Sequence, residues 1–224
     1  MMNEIKKRIA YVFDEIAIGE QFYYGHKCYT KNELGEIEEV PGAPVKKKHQ
    51  IVNSLHKYCS DEIKDVVRIG CKHNGSKYHS AETKVKKKNL GCIKGDYPDL
   101  YFDFSALSLT HSLNGVYMEG LPNPVICNEP WEGFRLTWDP SGDGATGLEK
   151  DADRLVMLLF NVYQQRFYVM ENAGYIRGNQ MLDFYVEGAA DHHRIEGWAF
   201  FVSKCGNYVS GTTYLGAFCK DRDI

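Results

Sequence analysis

From Asn3 to Ile18 the apolar residues Ile5, Ile9, Val12, Phe13 and Ile16 recur at helical spacing, with Lys6, Lys7, Asp14 and Glu15 largely opposite. That pattern predicts an amphipathic helix, which Gly19 can end. The following "QFYYGHKCYTK" and "GEIEEVPGAP" read as aromatic-rich β structure closed by a Gly/Pro turn. From Val45 onward "VKKKHQIVNSLHKYC" and "SDEIKDVVRIGC" return to i, i+4 apolar spacing, through Ile51 and Leu55, then Ile63 and Val67. Two short helices are predicted. The second has Ser60 as N-cap and Asp61 in its first turn, where side-chain oxygens complement the free N–H groups. "SAETKVKKKNLG", Ser80 to Gly91, predicts a third and very basic helix.

Beyond Gly95 the period changes. "DLYFDFSALSL", "EGFRLTWD", "DRLVMLLFNVY", "RFYVMEN", "QMLDFYVEG", "EGWAFFVSK" and "YVSGTTYLGAF" are short β-branched or aromatic runs punctuated by Gly, Asn, Asp and Pro, and they make seven candidate strands. The continuous run Leu155 to Phe160 suits a central strand, and the alternating Trp198, Phe200 and Val202 suit a strand with one face on a core. Cys205-Gly206-Asn207 is the expected turn between the last two strands, since Gly and Asn tolerate positive φ. The rival reading makes 151–172 one long helix, against which stand Val162, Tyr163, Phe167, Tyr168 and Val169, better strand than helix formers. The expected fold is α+β and mainly β: an N-terminal helical and β-hairpin part, then a seven-stranded immunoglobulin- or fibronectin-like β-sandwich.

Charge adds a division to this picture. The net charge is −3, yet residues 1–95 carry 18 Lys and Arg against 12 Asp and Glu, while 96–224 carry 9 against 18. The halves are therefore +6 and −9. The expected organisation is a basic helical and hairpin region over 1–95, a β-sandwich domain over 96–220 and a polar tail over 221–224.

Composition bounds the class: 224 residues, 43% hydrophobic and 25% charged, describe a globular chain able to bury a core. No run reaches the roughly 18 apolar residues of a membrane helix, and Met1 to Gly19 lacks the apolar centre of a signal peptide. The expectation is therefore cytoplasmic synthesis with no membrane partner. Seven cysteines (Cys28, Cys59, Cys71, Cys92, Cys127, Cys205 and Cys219) are odd in number and never in C-x-x-C spacing, which argues for reduced thiols over a disulfide framework or zinc ribbon. Asn74-Gly75-Ser76 has the form of a glycosylation acceptor and, without a secretory signal, reads as chance.

Three stretches could carry chemistry. In "DHHRIE", Asp191, His192, His193 and Glu196 are the donor types for zinc or acid/base work. Neither H-E-x-x-H nor H-x-H spacing is present, and neighbours on a strand point to opposite faces, so a solvated polar turn is the plainer reading. In "WDPSGDGATG", Asp139, Ser141 and Asp143 alternate like calcium ligands, but the closing glutamate of an EF-hand is missing and a Gly-rich loop between strands accounts for the composition. Lys84, Lys87 and Lys88 share one face of the third helix, where they would meet phosphates or an acidic protein surface; a solvated face is again the plainer reading. Cys92 and Cys127 have no sequence-level His/Asn partner, and no G-x-S-x-G, P-loop or Rossmann fingerprint occurs.

The stretches "GDYPDLYFDFSALSLTHSL" (95–113), "LTWDPSGDG" (136–144), "DADRLVMLLFN" (151–161) and "GWAFFVSKCGNYVSGTTYLG" (197–216) together resemble an uncharacterised Bacteroidetes family of short proteins, a domain of unknown function. Order and spacing agree over roughly residues 90–217; before that the chain departs from the Gly-rich opening and Trp-Lys-Gly strand of the family. The resemblance implies a helical front part, a fibronectin-like sandwich and an association with phages or mobile elements. It brings no activity and no catalytic residues. The expected function is a non-enzymatic structural or protein-interaction role, extending to a virion component, with protein partners or self-assembly and no cofactor. The alternatives are a metal-dependent hydrolase at Asp191, His192, His193 and Glu196, and a nucleic-acid-binding accessory protein using Lys84 to Lys88.

Overall fold

The computed structural model describes residues 18–19, 21–24, 27–34, 36–40, 63–95, 100–129, 133–141, 146–190 and 193–220. The predicted N-terminal helix and the first of the two short helices after Val45 lie outside them, as do Ser60 and Asp61. The aromatic stretch forms β1 (Gln21–Tyr24), β2 (Lys27–Lys31) and β3 (Ile37–Glu39), an antiparallel meander. Two helices follow, α1 (Lys64–Cys71) and α2 (Tyr78–Asn89). A short 3-10 segment over Lys72–Lys77 joins them, kinked at Gly75, whose φ of 57° costs a residue without Cβ nothing. Among the described residues no helix is long and apolar enough to cross a membrane.

The chain is mainly β from there, in antiparallel sheets. β4 (Ile93–Lys94) pairs with β5 (Tyr101–Phe102). β6 (Val125–Glu129), β7 (Gly133–Thr137) and β10 (Met181–Phe184) form a three-stranded sheet in the order β10-β7-β6. β8 (Arg154–Asn161), β9 (Arg166–Ile176), β11 (Ile195–Val202) and β12 (Thr213–Phe218) form a four-stranded sheet in the order β12-β11-β8-β9. The long-helix alternative for 151–172 is thereby overturned: β8 and β9 are a hairpin, as the β-branched and aromatic residues there favour.

Both faces of the four-stranded sheet are covered. Val156, Leu158 and Phe160 of β8 and Trp198, Phe200 and Val202 of β11 face one way, onto Ile63, Val66, Val67 and Cys71 around α1 and onto Ala81 and Val85 of α2. Leu155, Met157 and Leu159 with Ile195, Ala199 and Phe201 face the other way, onto Phe134, Leu136, Trp138, Leu182 and Phe184 of the three-stranded sheet. The layers are therefore helices, four strands, three strands. This arrangement corrects the expectation that β11 has only one face on a core, since all eight of its residues are buried. Two-sided burial explains why β8 and β11 are nearly continuous apolar runs rather than alternating ones. The helices before residue 95 share the first of these cores with strands beyond residue 150.

Two strand readings differ from the sequence pattern. "DLYFDFSALSL" gives only β5, because Asp103 accepts from the Ser105 backbone N–H at 3.1 Å and turns the chain into a 3-10 segment over Phe104–Ala106. Beyond it, the backbone of 107–113 finds side-chain partners in place of a ladder: Ser108 N–H donates to Asn89 Oδ1, Leu109 N–H to Thr212 Oγ1 and Leu113 N–H to Asn74 Oδ1. Two strands, β4 and β6, were not among the predicted ones; β6 is framed by Pro124 and Pro130 and confined to a sheet edge, where proline next to a strand is tolerated. At the other end, Cys205-Gly206-Asn207 forms the predicted turn of the β11–β12 hairpin, with Gly206 at φ 74°.

Candidate functional site

Of the candidate donors in the polar stretch before β11, His193 and Glu196 each have internal hydrogen-bond partners. His193 Nδ1 accepts from the Ala190 N–H at 3.2 Å and meets the Asn161 amide at 3.0 Å, and its ring stacks on Tyr163 at 5.0 Å and 13°. Asn161 in turn accepts from the N–H groups of Tyr163 and Gln164, so this network caps the β8–β9 turn. Glu196 is 2% exposed. Its Oε1 accepts from Arg194 Nε and Nη2 at 2.7 Å each, and its Oε2 accepts from the Tyr214 hydroxyl. Burial, then the hydrogen bond and charge of Glu196, push the Tyr214 phenol well above its ordinary value. Both oxygens of Glu196 are thus committed to internal donors. Asp191 and His192 lie outside the described residues, and among the described residues no three His, Cys, Asp or Glu side chains come close enough together to hold a metal.

The calcium-like loop meets a cation from within the chain. Arg177, 4% exposed, lays its guanidinium over the Phe201 ring at 3.8 Å and donates to Glu119 O at 2.9 Å and to Ser141 Oγ at 3.1 Å. Asp153, fully buried, stands 3.4 Å from Arg177 Nε and accepts from the Lys150 N–H at 2.8 Å. A fixed guanidinium on Ser141 repels a second cation, and Asp139 is occupied by the Asn123 amide at 2.7 Å. Asp143 lies outside the described residues. Arg177 was missed in the sequence, where "IRGNQ" carries no signal beyond a turn; its partners come from 119, 141 and 153, far away in the chain.

The basic face of α2 stands as the pattern predicted it. Ala81, Val85 and Asn89 point inward, while Lys84, Lys87 and Lys88 are exposed. Lys86 is paired with Glu82 at 3.0 Å, whereas neither Lys84 nor Lys87 has an acidic partner among the described residues. Lys88 Nζ reaches Ser108 Oγ at 3.4 Å. His111, absent from the sequence-level candidates, adjoins this patch: burial, then the charges of Lys84 and Lys88, lower its pKa. Asn89 fixes the geometry, exchanging two hydrogen bonds of 2.9 Å with the Ser108 backbone.

The thiols divide by burial. Cys71 and Cys92 are buried, and desolvation pushes both up to about 11, which makes them inert. Cys127 lies exposed on β6, its thiol donating weakly to Arg135 O at 3.7 Å. Cys205 is exposed at the hairpin turn, its pKa lowered by the Ser203 hydroxyl.

No family model matches the chain, and no curated protein matches it.

Proposed function

We propose that this protein is a non-enzymatic structural or protein-interaction component. In this reading β6 to β12 form a seven-stranded immunoglobulin-type sandwich of the fibronectin kind, and the basic helical layer docks an acidic protein surface. Strand order supports a three-against-four sandwich: β6, β7 and β10 form one sheet and β8, β9, β11 and β12 the other; the fourth strand, β9, pairs with the third, β8, and so departs from the constant-type immunoglobulin arrangement, where it pairs with the fifth. The observation that carries the interaction reading is the charge layering. Residues 63–95 hold nine Lys and Arg against two Asp and Glu, whereas the strand layers beyond residue 100 carry an acidic excess. Opposite charges on two layers of one protomer favour head-to-tail contact, which closes into rings or extends into filaments. A virion component of the kind implied by the resemblance over 90–217 would use such contacts.

Mass photometry and sedimentation at about 50 mM and about 500 mM salt test this, because screening weakens contacts between exposed charges. Assembly at low salt that dissolves at high salt is expected, with loss in the Lys84→Glu, Lys87→Glu, Lys88→Glu variant. A strict monomer at low salt overturns self-assembly. The grouping of Lys84, Lys88 and His111 favours a second reading, nucleic-acid binding, whose mark is affinity for oligonucleotides that falls steeply with salt. Flat polarisation titrations at low salt would dispose of it.

A further inference from the structure

The turn between β2 and β3 sets an exposed apolar side chain among acids. Residues 33–39 include Glu33, Glu36, Glu38 and Glu39 and no lysine or arginine. Asn32 shapes the turn. Its Oδ1 accepts from the Leu34 N–H at 3.0 Å and from the Glu36 N–H at 2.8 Å, and its own N–H donates to Glu36 O at 2.9 Å. Its Nδ2 donates to Glu38 Oε1 at 2.8 Å and to Glu36 Oε2 at 3.5 Å, which holds both carboxylates on one side of the hairpin. Leu34, at the tip, is 84% exposed. A turn already held in shape spares a partner the cost of ordering it, and a leucine left so far in water gains by burial.

The basic face of α2 carries the complementary order of groups. Lys84, Lys87 and Leu90 recur at three-residue spacing, a row about 9 Å long at the helical rise, with Lys88 beside Lys84 one turn on. All four are exposed, Leu90 by 40%. Beyond residue 100, Glu129 and Asp183 already pair with Arg135, Glu171 with Arg154, Asp153 with Arg177 and Glu196 with Arg194. Glu33, Glu36 and Glu38, by contrast, form no ion pair with a described residue. The hairpin tip is thus the acidic surface of this chain whose charge is left to offer.

We infer that the β2–β3 tip of one copy docks on the basic face of α2 of a second copy. Leu34 meets Leu90 there, and Glu36 and Glu38 meet Lys87, Lys84 and Lys88. The inference rests on the reading that the basic helical layer docks an acidic protein surface, and it names that surface. Charge steers and orients the encounter, while the leucine contact adds burial that salt does not screen. Because the two faces differ, each copy keeps one of each free after the first contact, so the contact repeats into a ring or a filament.

The test is sedimentation velocity of the full chain at about 50 mM salt, where exposed charges are weakly screened. It compares the wild type, a hairpin variant (Glu36→Lys, Glu38→Lys), a helix variant (Lys84→Glu, Lys87→Glu, Lys88→Glu) and an equimolar mixture of the two variants. The wild type is expected to assemble and each variant alone to stay monomeric. The mixture should assemble again, because each hairpin then meets the opposite charge on the helix of the other variant. Leu34→Ser should weaken self-association roughly tenfold, the scale of losing a buried leucine side chain. All the substituted residues are exposed, and circular dichroism that superimposes on the wild type shows that the variants fold. A hairpin variant that assembles like the wild type beside a monomeric helix variant overturns the inference and leaves the basic layer as a docking face. A mixture that stays monomeric overturns the contact between copies. A wild type that is monomeric at low salt overturns both the inference and self-assembly.

Discussion

At Glu149 three donors converge on one carboxylate oxygen: the Glu119 N–H at 2.7 Å, the Thr146 hydroxyl at 2.9 Å and the Thr146 N–H at 3.1 Å. Burial alone would raise this carboxyl. The hydrogen bonds, including one from its own N–H, outweigh burial and bring it from 4.5 to about 2. A carboxyl depressed in the folded state stabilises above its unfolded value, and that contribution is lost as pH falls toward the folded one. Stability should therefore decline between pH 4.5 and about 2, and Glu149→Gln, which cannot ionise, should flatten that decline. Urea midpoints at stepped pH measure both slopes; equal slopes would place the acid sensitivity elsewhere. Nothing in "GLEKDAD" distinguishes Glu149 from its neighbours, because its strongest backbone donor is 30 residues away in the chain. The same holds for Glu196, whose partner Tyr214 lies on the neighbouring strand.

Among the elements, α1 shows how helix periodicity and tertiary contact can disagree in sign. Gly70 sits inside α1, where alanine in its place would favour the helix by roughly 0.5–1 kcal/mol. A Cβ at Gly70, however, would drive into the Leu109 carbonyl and the Thr110 methyl group. A backbone carbonyl held by its own neighbours cannot swing aside as a flexible side chain does. Gly70→Ala should therefore destabilise by about 1–3 kcal/mol, the usual cost of overpacking, seen as a lower denaturant midpoint; a raised midpoint would mean the contact yields. Helices α1 and α2 were legible because the apolar period within each is local. The segment 107–113 was not: Leu107 and Leu109 alternate with Ser108 and Thr110 as a strand would, while the hydrogen-bond partners that decide the matter are side chains of Asn74, Asn89 and Thr212.

For the whole molecule, the four-stranded sheet is shared by both cores, so neither should melt alone. Trp198 is fully buried in the helix-side core, donating to Phe104 O at 2.9 Å, and Trp138 lies in the core between the sheets. Trp198→Ala should cost roughly 3–5 kcal/mol through the cavity it opens. In a Trp131→Phe background, Trp138 emission then reports the opposite core. Its transition should shift to lower denaturant together with far-ultraviolet circular dichroism, as one cooperative unit requires. A Trp138 transition left in place would show two independent halves.

The sequence by itself determined the mainly β class, the strands β7 to β12, the helices α1 and α2, the exposed lysines of α2 and the turn at Gly206, because each rests on period or turn chemistry within a few residues. Only the tertiary structure decided that the central sheet is covered on both faces, that β6 joins an edge, and that Arg177 donates to Ser141 of the Gly-rich loop. Those outcomes depend on burial and hydrogen-bond partners brought together from distant parts of the chain, and a one-dimensional pattern does not encode which donor meets which acceptor.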